Sequence, residues 1–161
     1  MTRSSDRRAR VSGEFSEFRP RRSLGQNFLV DAAARARLLE ALQPQAGDRF
    51  VEIGPGKGEI TQELGRRAAA VIAVELEPFL ALQTRERCSD LPNVTVVEGD
   101  ALTLELEPLA HGAPGSLRIF SNLPYATATA ILRRLLQQSR WILDLTVLVQ
   151  REVAERIAAR P

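Results

Sequence analysis

Five short apolar runs recur along the chain at 49–53 (RFVEI), 70–74 (AVIAV), 93–98 (NVTVVE), 117–121 (LRIFS) and 145–149 (LTVLV), each leading into a helical stretch or a crossover-length connection. The runs are too short for buried helices, and their apolar residues are continuous rather than alternating. Strands of a sheet covered on both faces read this way. The helical patterns lie at 59–68, 78–87 (with Pro78 suited to a first turn), 127–138 and from 151 to the end. In 127–138, Ile131, Leu132, Leu135 and Leu136 share one face; after 151, Val153 and Ile157 stand one turn apart and Glu152–Arg156 is an i,i+4 pair. A further helix at 31–42 (DAAARARLLEAL) has Asp31 placed as its N-cap, and 103–116, with Pro108, Gly112, Pro114 and Gly115, reads mostly as loop. Strand and helix in regular alternation specify an α/β fold: a doubly wound, mainly parallel sheet with helices on both faces.

The chain has 161 residues, enough for one domain, and 44% hydrophobic content can fill a core. No apolar run approaches the ~20 residues that span a bilayer. The N-terminal MTRSSDRRARVSGEFSEFRPRR is basic but has no apolar segment, so it does not read as a secretory signal. The single cysteine, Cys88, excludes an internal disulfide and a Cys-rich zinc site; it reads as a surface or half-buried thiol in a reducing cytoplasm. Residues 1–22 hold seven Arg against three acids, whereas the remainder carries fifteen basic and seventeen acidic residues. Residues 1–22 are therefore expected to be a basic, flexible arm, and 23–161 the folded domain. Such an arm suits a polyanion or is a solvated tail, and charge alone does not separate the two.

The first strand runs into Val51-Glu-Ile-Gly-Pro-Gly-Lys-Gly58. Glycines at alternate positions let the backbone pass close to a ligand and turn into a helix. Lys57 is followed by Gly58, not by Ser or Thr, which excludes a Walker loop. The second strand ends at Glu75, nineteen residues after Gly56, where a carboxylate can take ribose hydroxyls. The third ends in Gly99-Asp100, and Asp100 can accept from an adenine amino group. Three successive strand ends thus point to a nucleoside-containing cofactor. NAD and S-adenosylmethionine both suit them. The loop is not GxGxxG, and it carries an acid, Glu52, ahead of its first glycine, where a methionine-bearing cofactor presents an ammonium and a pyrophosphate does not. Hydride transfer also commonly recruits an acid–base residue, and the one histidine, His111, lies in a Gly/Pro loop and reads as a bystander. Both features favour S-adenosylmethionine.

The fourth strand delivers Asn122-Leu-Pro-Tyr125 to the same sheet edge, with no histidine, cysteine, lysine or carboxylate beside it. Methyl transfer to the exocyclic amine of adenine fits that set. The amine lone pair is delocalised into the ring and gains positive charge during transfer. Two acceptors aimed at its N–H groups, the Asn122 side-chain oxygen and the Leu123 carbonyl, would stabilise that charge. Pro124 biases Leu123 to an extended conformation, and Tyr125 offers a face for an extruded base. The product ammonium is strongly acidic, so no dedicated base is needed. A plain turn after a strand, with Tyr125 as a core aromatic, is the bland alternative.

Arg22-Ser-Leu-Gly-Gln-Asn-Phe-Leu-Val-Asp31, the glycine loop, Val74-Glu75, Gly99-Asp100, Ser121-Asn-Leu-Pro-Tyr125 and Val149-Gln-Arg-Glu-Val-Ala-Glu-Arg-Ile157 together closely resemble the ribosomal RNA adenine dimethyltransferases, over residues 22–161. The resemblance implies a Rossmann-like domain that uses S-adenosylmethionine to dimethylate the N6 of adenines near the 3′ end of small-subunit ribosomal RNA. It implies that Asn27, Leu29 and Gly56 belong to the cofactor site, Gly54 lies under the methionine end of the cofactor, Glu75 holds its ribose, Asp100 its adenine, and Asn122 bridges cofactor and target amine. No metal is implied, and a cytoplasmic monomer is expected. Family members continue well past the position of Pro161, through further strands and a small helical domain, so the chain is expected to be an incomplete catalytic domain with one sheet flank uncovered. Two other functions compete: a DNA adenine-N6 methyltransferase, which Leu123 and the LGQNFL segment oppose, and a non-catalytic RNA-binding or assembly factor of the same fold.

Overall fold

The computed structural model of the chain describes residues 32–124 and 126–158. Its elements run α1 (Ala32–Leu42), β1 (Arg49–Ile53), α2 (Glu59–Gly65), β2 (Ala70–Glu75), α3 (Pro78–Arg87), β3 (Val94–Glu98), α4 (Glu107–Ala110), β4 (Leu117–Asn122), α5 (Ala128–Gln137), a 3-10 turn (Ser139–Trp141), β5 (Ile142–Leu148) and α6 (Arg151–Ala158). The five strands form one sheet in the order β3-β2-β1-β4-β5, and every neighbouring pair is parallel. The reversal of strand order falls between β1 and β4, where open α/β sheets bind ligands beyond the strand C-termini.

Two apolar clusters cover the two faces. Phe50, Val71 and Phe120 pack with Leu38, Leu39 and Leu42 of α1 and with Ile60 and Leu64 of α2. Val51, Ile53, Val74, Leu117 and Ile119 pack with Ile131 and Leu135 of α5 and with Leu106 and Ala110 around α4. Successive side chains point to opposite faces, so continuous apolar runs in β1, β2 and β4 feed both clusters. The outer strands are less covered than continuous runs imply. Thr95, Val97 and Glu98 of β3 are exposed, and β5 is half-buried with Leu143 exposed. Each is an edge strand with one neighbour. The β3 edge is shielded by Arg85, which donates to the Val96 carbonyl and pairs with Glu98 at 2.7 Å.

Opposite the C-terminal edge, the Arg118 guanidinium ties four elements together. It donates to Asp48 and Asp144 and to the Leu42 carbonyl at the end of α1, and it lies over the Phe50 ring. The i,i+4 pair of α6 is Arg151–Glu155, one residue earlier than the expected Glu152–Arg156. Cys88 is buried rather than at the surface or half-buried, and burial pushes its thiol up to about 11. His111 sits at the C-cap of α4 with positive φ, beside Arg49 and away from the sheet's C-terminal edge. Asp31 and residues 1–22 lie outside the described residues.

Candidate functional site

The C-terminal ends of β2, β1 and β4 stand side by side. Ile53 is level with Val74 on one side and with Ser121 on the other, so Glu75, Gly54 and Asn122 follow in one row across the sheet edge. Two hydrogen bonds pin the row: the Gly54 N–H donates to the Val74 carbonyl at 2.9 Å, and the buried Ser121 hydroxyl donates to the Ile53 carbonyl at 2.8 Å.

Gly54, Gly56 and Gly58 have φ values of +70, +61 and +76, a region that side chains other than glycine enter at a cost. Over Gly54 there is open space where a Cβ would be, whereas a Cβ on Gly58 would come within 2.9 Å of Thr84 Cγ2 in α3. Thr84 also donates to the Gly56 carbonyl, and Arg87 donates to the Lys57 carbonyl at 2.6 Å. The loop is thus held down on α3 while its first glycine faces free volume.

Glu75 is nearly fully buried and works as a staple. Its Oε2 accepts the Gly56 N–H at 3.1 Å and its Oε1 accepts the Glu77 N–H at 3.0 Å. Burial raises its pKa, and the backbone N–H groups oppose that rise.

A cleft lies beyond the row, lined by Gly54, Pro55, Gly56 and Lys57 of the loop, Glu52, Phe120 and Asn122 of the strands, Glu59 and Ile60 of α2, and Arg35 of α1. Glu52 is 2% exposed, and its Oε2 has no hydrogen-bond partner. Desolvation raises its carboxyl to about 7, with the nearby Glu75 charge pushing the same way. Thr61 stands beside it and favours the charged form, yet the Thr61 hydroxyl is itself buried without a well-formed hydrogen bond.

On the β4 side, the Leu123 N–H donates to the Leu148 carbonyl of β5, and the Leu123 side chain is buried in the core. The Pro124 carbonyl accepts from Thr127 and Ala128, opening α5. Among the described residues, nothing donates to the Leu123 carbonyl. Asp100 accepts the Leu102 N–H at 2.9 Å in a turn after β3.

Of the residues singled out in the sequence, the cleft therefore gathers Gly54, Gly56 and Asn122. Leu123 and Pro124 follow Asn122 directly, and Glu75 joins through Gly56. Asp100 stands farther out, past β3, and does not line the cleft. Asn27, Leu29 and Tyr125 lie outside the described residues. Thr61 was not among the sequence candidates. Glu52 was read there as the acid ahead of the first glycine that a cofactor ammonium would meet, but its burial and orphaned oxygen are tertiary facts. Among the described residues no cluster of His, Cys, Asp and Glu could hold a metal, and no helix is long and apolar enough to cross a membrane.

The family model described as Ribosomal RNA adenine dimethylase matches residues 17–161. The chain is 43% identical over 149 residues to the Ribosomal RNA small subunit methyltransferase A of Koribacter versatilis, covering 86% of this chain and 52% of that protein. It is 47% identical over 139 residues to the protein of the same name from Acidobacterium capsulatum, covering 86% and 48%. Among solved structures, the 23S rRNA methyltransferase ErmE superposes with a TM-score of 0.69 at 34% identity, over 80% of this chain and 50% of that one. The chain spans about half the length of the curated relatives it matches.

Proposed function

Because the chain belongs to the ribosomal RNA adenine dimethylase family, we propose that it is the cofactor- and base-binding part of an enzyme that methylates the N6 of adenines in small-subunit ribosomal RNA, with S-adenosylmethionine as methyl donor. The observation that carries this is the cleft itself. It places a buried acid, open space over a positive-φ glycine and the Asn122 end of β4 on one wall. That chemistry fits a ligand with a cationic amino-acid end and a nucleoside.

S-adenosylmethionine would supply an electrophilic methyl group there. Gly54 gives its amino-acid end room against the backbone, and Gly56 lines the same cleft. Glu75 holds the loop and offers lone pairs to the ribose, and Asp100 serves the adenine from the β3 side. Asn27 and Leu29 are assigned to the cofactor by family resemblance. Asn122 and the Leu123 carbonyl accept from the target amine and favour it as charge grows on nitrogen. Pro124 keeps that carbonyl outward, and Tyr125 stacks on the extruded base. The remaining proton leaves to water from an acidic product.

The methyltransferase domain is assigned to 23–161 and phosphate contacts to the basic stretch at 1–22, and the enzyme works as a cytoplasmic monomer. The names of its relatives favour an RNA substrate over DNA. The test is methyl incorporation by the chain extended to the length of its relatives, on small-subunit rRNA, large-subunit rRNA and duplex DNA. Dimethyladenosine in small-subunit rRNA is expected. Modification of DNA alone, or cofactor binding without turnover on any of the three, would overturn the proposal.

A further inference from the structure

We infer that Ser121 is a positioning residue for methyl transfer: its hydroxyl sets the distance between the target amine at Asn122 and the methyl donor over Gly54, while touching neither. This deepens the proposed function and rests on it.

Phe120 and Asn122 both line the cleft. Side chains alternate along a strand, so Ser121 between them points to the other face of the sheet, where it is 0% exposed. It therefore reaches no ligand. A buried hydroxyl needs a partner, and this one donates to the Ile53 carbonyl of β1 at 2.8 Å. That carbonyl belongs to the same peptide unit as the Gly54 N–H, which donates to the Val74 carbonyl of β2 at 2.9 Å. A peptide unit is planar and stiff. The Ile53–Gly54 peptide is thus clamped at both ends, by a β4 side chain on one side and by the β2 backbone on the other.

The clamp lies at the last register pair of β1 and β4, Ile53 with Ser121. Beyond it the two strands part. β1 turns into the glycine loop, with open space over Gly54, while β4 stays with β5, the Leu123 N–H donating to the Leu148 carbonyl at 2.9 Å. One strand end carries the floor under the proposed methyl donor, and the other carries the acceptors for the target amine. The Ser121 hydroxyl joins them at the point of divergence. Alanine would fill the same space in the core nearly as well, so packing alone does not call for a hydroxyl there. A misplacement of about 1 Å between reacting groups can cost about a hundredfold in rate. A bond that removes slack between these two ends therefore acts on the chemical step more than on binding.

The test is single-turnover methyl transfer by Ser121→Ala in the chain extended to the length of its relatives, at saturating S-adenosylmethionine and small-subunit rRNA. Cofactor and RNA affinities are measured beside it. The rate is expected to fall about ten- to a hundredfold, with both affinities within about twofold of wild type. Ser121→Thr, which keeps the hydroxyl on a side chain suited to a strand, should retain most of the rate. Ser121→Cys keeps the volume but donates weakly; it should be slowed like the alanine variant, and it carries the test if that variant does not fold. In an Asn122→Ala background, losing the Ser121 hydroxyl should cost less than about threefold, because the group it positions is gone. Wild-type rates in Ser121→Ala or Ser121→Cys overturn the inference. So does a loss that Ser121→Thr shares, or one that keeps its full size beside Asn122→Ala. A fall in cofactor affinity that matches the fall in rate would assign the hydroxyl to the fold of the glycine loop and overturn it too. No transfer by the unmutated extended chain would instead sink the proposed function, and this inference with it.

Discussion

The Gly56 N–H donates to the Glu75 carboxylate across 3.1 Å, so the glycine loop after β1 is fastened to the end of β2 by the acid assigned to the ribose. Glu75→Ala would remove that bond and the one to Glu77 together. Cofactor affinity is expected to fall about ten- to a hundredfold, corresponding to a charged acceptor worth roughly 1.5–3 kcal/mol. Glu75→Gln keeps one acceptor oxygen and should lose less. Calorimetry on both variants, with circular dichroism to confirm folding, checks this; equal affinity in wild type and Glu75→Ala would remove Glu75 from the site.

Glu52 sets a pH dependence on stability whose sign follows from its raised carboxyl. In the folded chain it titrates at about 7, against an ordinary value of 4.5. Between these values the folded state holds a proton that the unfolded state has lost. The ligand-free domain therefore keeps this contribution below about pH 4.5 and loses it as pH rises through 7, by about 3 kcal/mol in all. Thermal melts of wild type and Glu52→Gln between pH 5.5 and 8 should diverge, with the variant the more stable at the alkaline end. Parallel curves would mean that Glu52 is already ionised in the fold.

Gly58→Ala should cost stability for two reasons that add. Its φ of +76 disfavours a side chain by about 1 kcal/mol or more, and the new methyl would meet Thr84 Cγ2 at 2.9 Å. Gly54→Ala faces the same backbone penalty but empty space, and its methyl would occupy volume proposed for the ligand. Denaturant melts should therefore rank Gly58→Ala below Gly54→Ala, while cofactor affinity should suffer strongly in Gly54→Ala. The reverse ranking in stability would contradict the loop geometry.

Arg118→Met tests the opposite edge of the sheet. The substitution leaves Asp48 and the Asp144 side chain without their guanidinium, and removing one partner of a buried ion pair costs about 3–5 kcal/mol, less here because Asp144 is partly exposed. A lower urea midpoint with unchanged cofactor affinity is expected. A specific loss of affinity in a variant of full stability would show that the two edges are coupled.

The architecture was legible because alternation of apolar strand and helix leaves few topologies, and the glycine loop and Asn-Leu-Pro marked the strand ends that meet at the cleft. What could not be read has physical causes. The β5 strand begins at Ile142, not at 145, because Asp144 interrupts its apolar run, and the Arg118 partner that makes the acid tolerable there comes from β4. The four-residue α4 is too short to show a period. The half-cover of β3 and β5 follows from their edge positions, which strand order alone decides. The acid Glu52 was legible ahead of the first glycine, but its unmet hydrogen bond was not; Thr61 escaped for the same reason, and Thr84 because its role is to touch a glycine.

The most direct measurement is the single-turnover rate of methyl transfer by Asn122→Ala, made in the chain extended to the length of its relatives, at saturating cofactor and small-subunit rRNA. If Asn122 accepts from the target amine as charge develops, the loss falls on the chemical step more than on RNA binding. A fall of about a hundred- to a thousandfold in rate is predicted, with RNA affinity nearly unchanged. A variant that transfers methyl at the wild-type rate would contradict the assignment of Asn122 and, with it, the base-free chemistry proposed for the end of β4.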